Sequence, residues 1–435
     1  MMSRHILFAA VLCLLPFWPA QALTIEQVTS PGGIRAWLVQ DHANPIITLE
    51  LSFKGGASVD PVGKAGLAEM VGGLLDEGAG DLDSQAFHGK LEDLAIGFGF
   101  SAGADNFQGH LKTVTANRDT AFDLLRLALT QPRFDADAVE RVRGQILSIL
   151  AEELQNPNVM ARRAFARAMY PDHPYGLPVD GTPDSIKAIS ADDLKEWVKA
   201  RLGRDKMTIS VVGDITPEEL GGLLDRTFGA LPETSASIDV AFVPPRTNGG
   251  VEIVHRPIPQ SIVMFGEPGL KRDDPDWYGA YVMNYILGGG GLSSRLMTEV
   301  RVKRGLAYGV YSYLSPRDHS ALLGGSVATR NDRVKDSLQV IRDEWRRMAE
   351  NGVSAEELAD AKTYLNGSFP LQLESTGAIA ALLQSIQLDR LGIDYLDRRN
   401  VLIDKVTQAD IKRVAARLLD GGKLSFVVLG DPQGL

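Results

Sequence analysis

The spacing of apolar positions changes along the chain, and each spacing predicts a different element. In GKAGLAEMVGGLLDEG, Gly63–Gly78, the residues Leu67, Met70, Val71, Leu74 and Leu75 recur as one face of a helix, which predicts a helix over 63–78. PIITLELSF, Pro45–Phe53, is a β-rich run, and GFGFSAGADNFQGHLKTVT, which follows, has the pattern of a hairpin. Asp119–Leu129 and Asp135–Leu154 have helical periodicity, and MTISVVGD, starting at Met207, is a continuous apolar run that predicts a buried strand. Hairpins followed by blocks of helix, without strict strand–helix alternation, predict an α+β fold.

The pattern is written twice. The Gly-Asp pair that closes KMTISVVGD returns in KLSFVVLGD, and Gly213 and Gly430 are 217 positions apart (430 − 213). GGIRAWLVQD and GGVEIVHRPI are offset by the same amount (250 − 33), while Asn117 and Asn331, each before an amphipathic helix, differ by 214 (331 − 117). Equal offsets at both ends with drift between them predict two homologous α+β domains, a common domain size each. The stretch LPETSASIDVAFVPPRTNGG, Leu231–Gly250, lacks a helical period and is rich in Pro, Ser, Thr and Gly, as a linker is. The expected organisation is a first domain over 23–232, a linker over 233–249 and a second domain over 250–435.

One stretch of the second copy combines unusual features. GGGGLSSRLMTEVRVKRGLAYGVYSYL begins at Gly288 with four consecutive glycines, Gly288, Gly289, Gly290 and Gly291. Ser293 or Ser294 can cap a helix running to Lys303, with Leu292, Leu296 and Val300 on its buried stripe, and LAYGVYSYL then alternates as a strand. A turn at Lys303–Gly305 would let Arg301 and Tyr308 face one cavity. There the guanidinium fork and the phenol could hold a peptide carbonyl or the oxyanion formed from it. On spacing alone, a cationic last helical turn and a core tyrosine are the favoured reading.

Composition narrows the classes. Of 435 residues, 44% are hydrophobic and 23% charged, proportions of a globular chain. The formal net charge is −10 and no Lys/Arg block stands out, which argues against nucleic acid as the main partner. Arg4 and His5, the apolar run ILFAAVLCLLPFW and the small-x-small AQA at Ala20–Ala22 read as a secretory signal over 1–22, with Pro16 and Pro19 arguing against an anchor. Beyond it, no run is long and apolar enough to cross a membrane, so no membrane association is expected after cleavage. The single cysteine, Cys13, leaves with the signal, which excludes disulfides, zinc thiolates and cysteine nucleophiles and suits the periplasm.

Known catalytic motifs are missing. The seven histidines lie more than five residues apart, and neither His-Glu-x-x-His nor its inverse occurs. There is no Gly-x-Ser-x-Gly elbow, no Ser-x-x-Lys pair and no phosphate-binding Gly-x-x-x-x-Gly-Lys loop.

At this point the chain resembles the pitrilysin/insulinase family of zinc metallopeptidases, which includes the mitochondrial processing peptidases. The carriers are the duplicated domain with its VVGD ending, PYGLPVDGTPDSIKAIS from Pro174 to Ser190, and SRLMTEVRVKRGLAYGVYS from Ser294 to Ser312. The resemblance implies two facing halves in a clam-shell, with the linker as hinge and an extended peptide as substrate. It also implies that Arg301 and Tyr308, seven apart in the second domain, bind that substrate. The family's His-x-x-Glu-His motif falls on Glu69, Gly72 and Gly73, and its third ligand, a glutamate, falls near Ile149–Leu150, with Glu152 and Glu153 close by. One carboxylate in place of two imidazoles, with no general base, does not make an open zinc site. The pattern therefore resembles the non-catalytic subunit of a two-chain peptidase, with no metal of its own and no activity of its own expected. Zinc is then expected in a homologous partner subunit, and the glycine run Gly288–Gly291 is expected as a flexible loop near the cleft. A scaffold or peptide-binding protein that has lost proteolysis is the alternative.

Overall fold

A computed structural model describes residues 23–435; the signal segment and Cys13 lie outside the described residues. The first half builds a six-stranded sheet from β1 (Glu26–Thr29), β2 (Arg35–Gln40), β3 (Ile46–Lys54), β4 (Gly97–Ala102), β5 (Asn106–Val114) and β6 (Met207–Gly213), in the order β1-β2-β6-β3-β5-β4. The second half builds a five-stranded sheet from β7 (Val251–His255), β8 (Gln260–Pro268), β9 (Ala307–Arg317), β10 (Ser320–Arg330) and β11 (Ser425–Gly430). Its order, β7-β11-β8-β10-β9, repeats β2-β6-β3-β5-β4 strand for strand. The senses repeat as well: β2 and β6 are parallel, as are β7 and β11, and the other neighbours are antiparallel. This is the α+β architecture that the patterning predicts. β4 and β9 are equivalent edge strands, each with one side free of sheet partners.

Helices cover both sheets. Those of the first half include α1 (Leu67–Gly72), α2 (Ala136–Glu153) and α3 (Pro157–Met169); those of the second include α4 (Val334–Asn351), α5 (Ala355–Gly367) and α6 (Thr376–Leu388). The predicted helix over 63–78 is only six residues long. Its apolar residues are buried as expected, but it stops at Gly73, where two adjacent glycines lower helix propensity.

Two helices cross between the halves. α3 lays Ala161, Phe165 and Met169 on Ile262, Met264, Val427 and Leu429 of the second sheet. Reciprocally, α6 lays Ile379, Ala380 and Leu383 on Val39 and Val212 of the first. Polar groups fix the second contact: Ser210 donates to Gln384 Oε1 at 3.0 Å, Gln384 Nε2 donates to Thr208 Oγ1 at 2.6 Å, and Thr48 and Thr376 share a hydroxyl pair at 2.9 Å.

Residues 233–249 run without helix or strand. They are strapped along both halves: Ala236 N donates to Ala200 O, Val243 N to His319 O and Arg246 N to Met169 O.

Candidate functional site

Asp60 starts α1. Its carboxylate accepts from the backbone N–H groups of Gly66, Leu67 and Ala68 at 3.0, 3.0 and 3.1 Å. Burial outweighs these donors and raises its pKa to about 7. On the helix, Glu69 Oε2 accepts from Ala102 N at the end of edge strand β4, at 3.1 Å. Burial raises the Glu69 carboxyl, and the charge of Asp180 adds to the rise. Gly72 faces β4 so closely that a Cβ would lie 3.3 Å from Phe100 O, and Gly73 is exposed. The helix sits too near the strand for a side chain at Gly72 without a shift.

A group of charges lies next to Glu69. Arg163 on α3 pairs with Glu153 Oε2 at 2.8 Å and with Asp180 Oδ2 at 2.5 Å. Glu153, at the end of α2, is raised chiefly by its hydrogen bond with Asp180. Asp180 thus raises both Glu69 and Glu153, and the Arg163 guanidinium bridges Asp180 and Glu153. At the expected third-ligand position Ile149 is exposed and Leu150 buried. Glu153 serves an ion pair there, not a ligand set. Among the described residues, the one group of three potential ligands within 4.8 Å of one another is Asp76, Glu77 and His88. Both oxygens of Glu77 already accept from Arg141, at 2.7 and 2.5 Å, which holds its pKa down at about 2. With a guanidinium bound, this group does not fit a cation either. The residues present at Glu69, Gly72 and Gly73 do not fit zinc.

Arg301 and Tyr308 do meet. The predicted helix is wound differently: Gly291–Ser293 is a 3-10 turn and Met297–Val302 a π-helix, closed by Gly305 at φ 61°. Ser294, not Ser293, accepts from Met297 N, and Leu292 is exposed instead of joining Leu296 and Val300 in the core. The register between β9 and β10 slips between Ala307 and Val310, which puts Tyr308 in a bulge on an edge strand. Bulges re-aim side chains, and here the phenol is 87% exposed with the Arg301 guanidinium 5.0 Å from its ring centre. Among the described residues neither side chain makes a hydrogen bond or ion pair, and none links them to α1. Tyr308 is therefore no core tyrosine.

The glycine run is wound, not open. Gly288 and Gly289 belong to a π-helical turn, Tyr285–Gly289. A Cβ on the buried Gly288 would lie 2.5 Å from Ser312 Oγ and 2.7 Å from Ser312 N, so close approach to β9 requires glycine there. Gly291 has φ 60° and open space around it.

Comparison with known proteins now bears on these positions. An uncharacterized zinc protease of Streptomyces coelicolor is 30% identical over 429 residues, covering 94% of this chain and 90% of the relative. The chain belongs to the M16 peptidase family. The sequence model of the peptidase M16 inactive domain matches residues 188–365, a span that contains Arg301 and Tyr308. A non-peptidase homolog of Helicobacter pylori is 27% identical over 398 residues, covering 91% of this chain and 90% of that protein. A crystal structure of a peptidase M16 inactive domain from Pseudomonas fluorescens superposes with a TM-score of 0.88 at 28% identity, over 94% of this chain and 98% of that one. This M16 chain thus has the family fold without a ligand set on α1.

A hollow of about 690 Å³ opens beside the charge group. Glu153, Arg163 and Asp180 line it from the first half and Arg317 from the second. The sequence reading missed it, because its polar groups come from segments with no shared motif.

Proposed function

We propose that this chain is the non-catalytic, substrate-binding subunit of a heteromeric M16 zinc metallopeptidase that processes or degrades peptides in the periplasm. The partner is a homologous chain with His-x-x-Glu-His, which supplies the zinc and the general base. This chain supplies Arg301 and Tyr308 to the scissile carbonyl and one wall of the chamber. The observation that carries the reading is the meeting of Arg301, half-buried on its π-helical turn, with the exposed Tyr308 on a bulged edge strand, the guanidinium 5.0 Å from the ring centre, in a chain whose own motif positions hold Glu69, Gly72 and Gly73. A free phenol and a free guanidinium are donors without acceptors, suited to an oxygen whose negative charge grows during reaction. One such donor is worth about 3 kcal/mol in acyl-transfer enzymes. The free edges of β4 and β9 suit an extended peptide that adds as a further strand.

The test is co-expression with a zinc-bearing M16 chain. This chain alone is expected to cleave nothing. The pair is expected to co-purify with one zinc, cleave peptides and lose that activity to a chelator. Chelator-sensitive cleavage by this chain alone would overturn the proposal. Failure to pair would favour the alternative, a proteolytically dead scaffold or peptide-binding protein, in line with the name of the Helicobacter relative.

A further inference from the structure

We propose that the hollow beside α1 binds the carboxylate of a peptide, with Arg317 as its receptor; this rests on the peptide-binding reading above and names the group recognised. Arg317 ends β9 and reaches across from the second half. Its guanidinium carbon lies 4.8 Å from the ring centre of Tyr175 and 5.9 Å from that of Tyr170. Both rings are buried and held at their hydroxyls. Tyr175 donates to Asp105 and accepts from His319 N at 2.9 Å, while Ser320 donates to Tyr170 at 3.0 Å. These contacts tie the β4–β5 turn to the β9–β10 turn and give PYGLPVDGT a role that its sequence did not disclose.

The guanidinium lies over the ring of Tyr175, with Tyr170 edge-on beside it, a cation–π contact that leaves its N–H donors unspent. Among the described residues, that of Arg317 donates no hydrogen bond and has no carboxylate within ion-pair distance. A partly buried cation with unused donors is costly until an anion meets it. A carboxylate matches the planar fork with two parallel bonds.

The neighbouring acids compete little. Glu153 and Asp180 are taken by Arg163, and Asp60 by the amides of α1. Asp172, exposed on the same hollow, is the acid left over. Arg162, whose charge also acts on Glu153, supplies a second guanidinium to the same wall. At the rim, the exposed side chains of Val62 and Leu177 offer apolar surface to the residues next to the carboxylate. The volume, about 690 Å³, is that of a small-ligand site and not of a folded partner.

The carboxylate can be a chain terminus or an acidic side chain, and three N-terminally labelled peptides of one apolar sequence separate these sources. One ends in a free acid, one in an amide, and one in an amide with an internal aspartate. Fluorescence anisotropy with the full chain is expected to give about tenfold tighter binding for the free acid than for the amide. Arg317→Gln is expected to abolish that difference. Arg317→Lys, which keeps the charge without the fork, should fall between. Tight binding of the aspartate peptide would assign the site to side chains. Equal binding of all three peptides to the unaltered protein would overturn the carboxylate inference and leave peptide binding standing. Binding of none would remove both.

Discussion

Asp60 accepts three backbone N–H groups at the first turn of α1, in surroundings that raise its pKa from the ordinary 3.8 to about 7. In the unfolded chain it loses its proton near 3.8, whereas the folded chain keeps that proton until about 7. The native state therefore binds more protons across that window, and this group's contribution to stability falls as pH rises through it. Asp60→Asn is expected to fall less steeply than the unaltered protein between pH 4 and 7 in urea midpoints. The difference is bounded at about 4 kcal/mol by the rise in pKa. A parallel fall in both proteins would contradict the assignment. Residue by residue, legibility followed sequence distance. Arg301 and Tyr308 were candidates because a turn between positions seven apart can bring them together, and it was the family resemblance, not the spacing, that favoured them. Glu153, Arg163 and Asp180 were not, because their grouping depends on how α2, α3 and a later loop pack.

Elements were legible where one periodicity held. The strands followed their runs closely, as β3 over Ile46–Lys54 and β6 over Met207–Gly213 do. The helix around Arg301 did not, since its π winding shifts each side chain from the 3.6-residue face and leaves Leu292 outside. Apolar spacing also leaves open which sheet a helix covers, so the crossing of α3 and α6 between halves had no sequence signal. At the second crossing, Gln384 bonds Ser210 and Thr208 inside the interface. Gln384→Ala removes the donor to Thr208 and the acceptor of the Ser210 hydroxyl, which keeps only its bond from Gln387, and is expected to cost about 2 kcal/mol. Its urea midpoint should fall at unchanged slope.

At the scale of the molecule, one strand order used twice accounts for the repeated sequence offsets. The exchanged helices make the halves interdependent. Without the other half, the sheet face formed by Ile262, Met264, Val427 and Leu429 is uncovered, an aggregation-prone patch. Calorimetry of 23–435 is expected to show one cooperative transition, and each half expressed alone is expected to aggregate. Two separate transitions would show that the halves are independent.

The functional account depends on Arg301 and Tyr308 acting at a partner's metal site. The most direct measurement is peptide cleavage by the assembled complex carrying Arg301→Ala and Tyr308→Phe. The account predicts an intact complex that retains its zinc and loses about a hundredfold or more in kcat. An intact complex with unchanged kcat would contradict it.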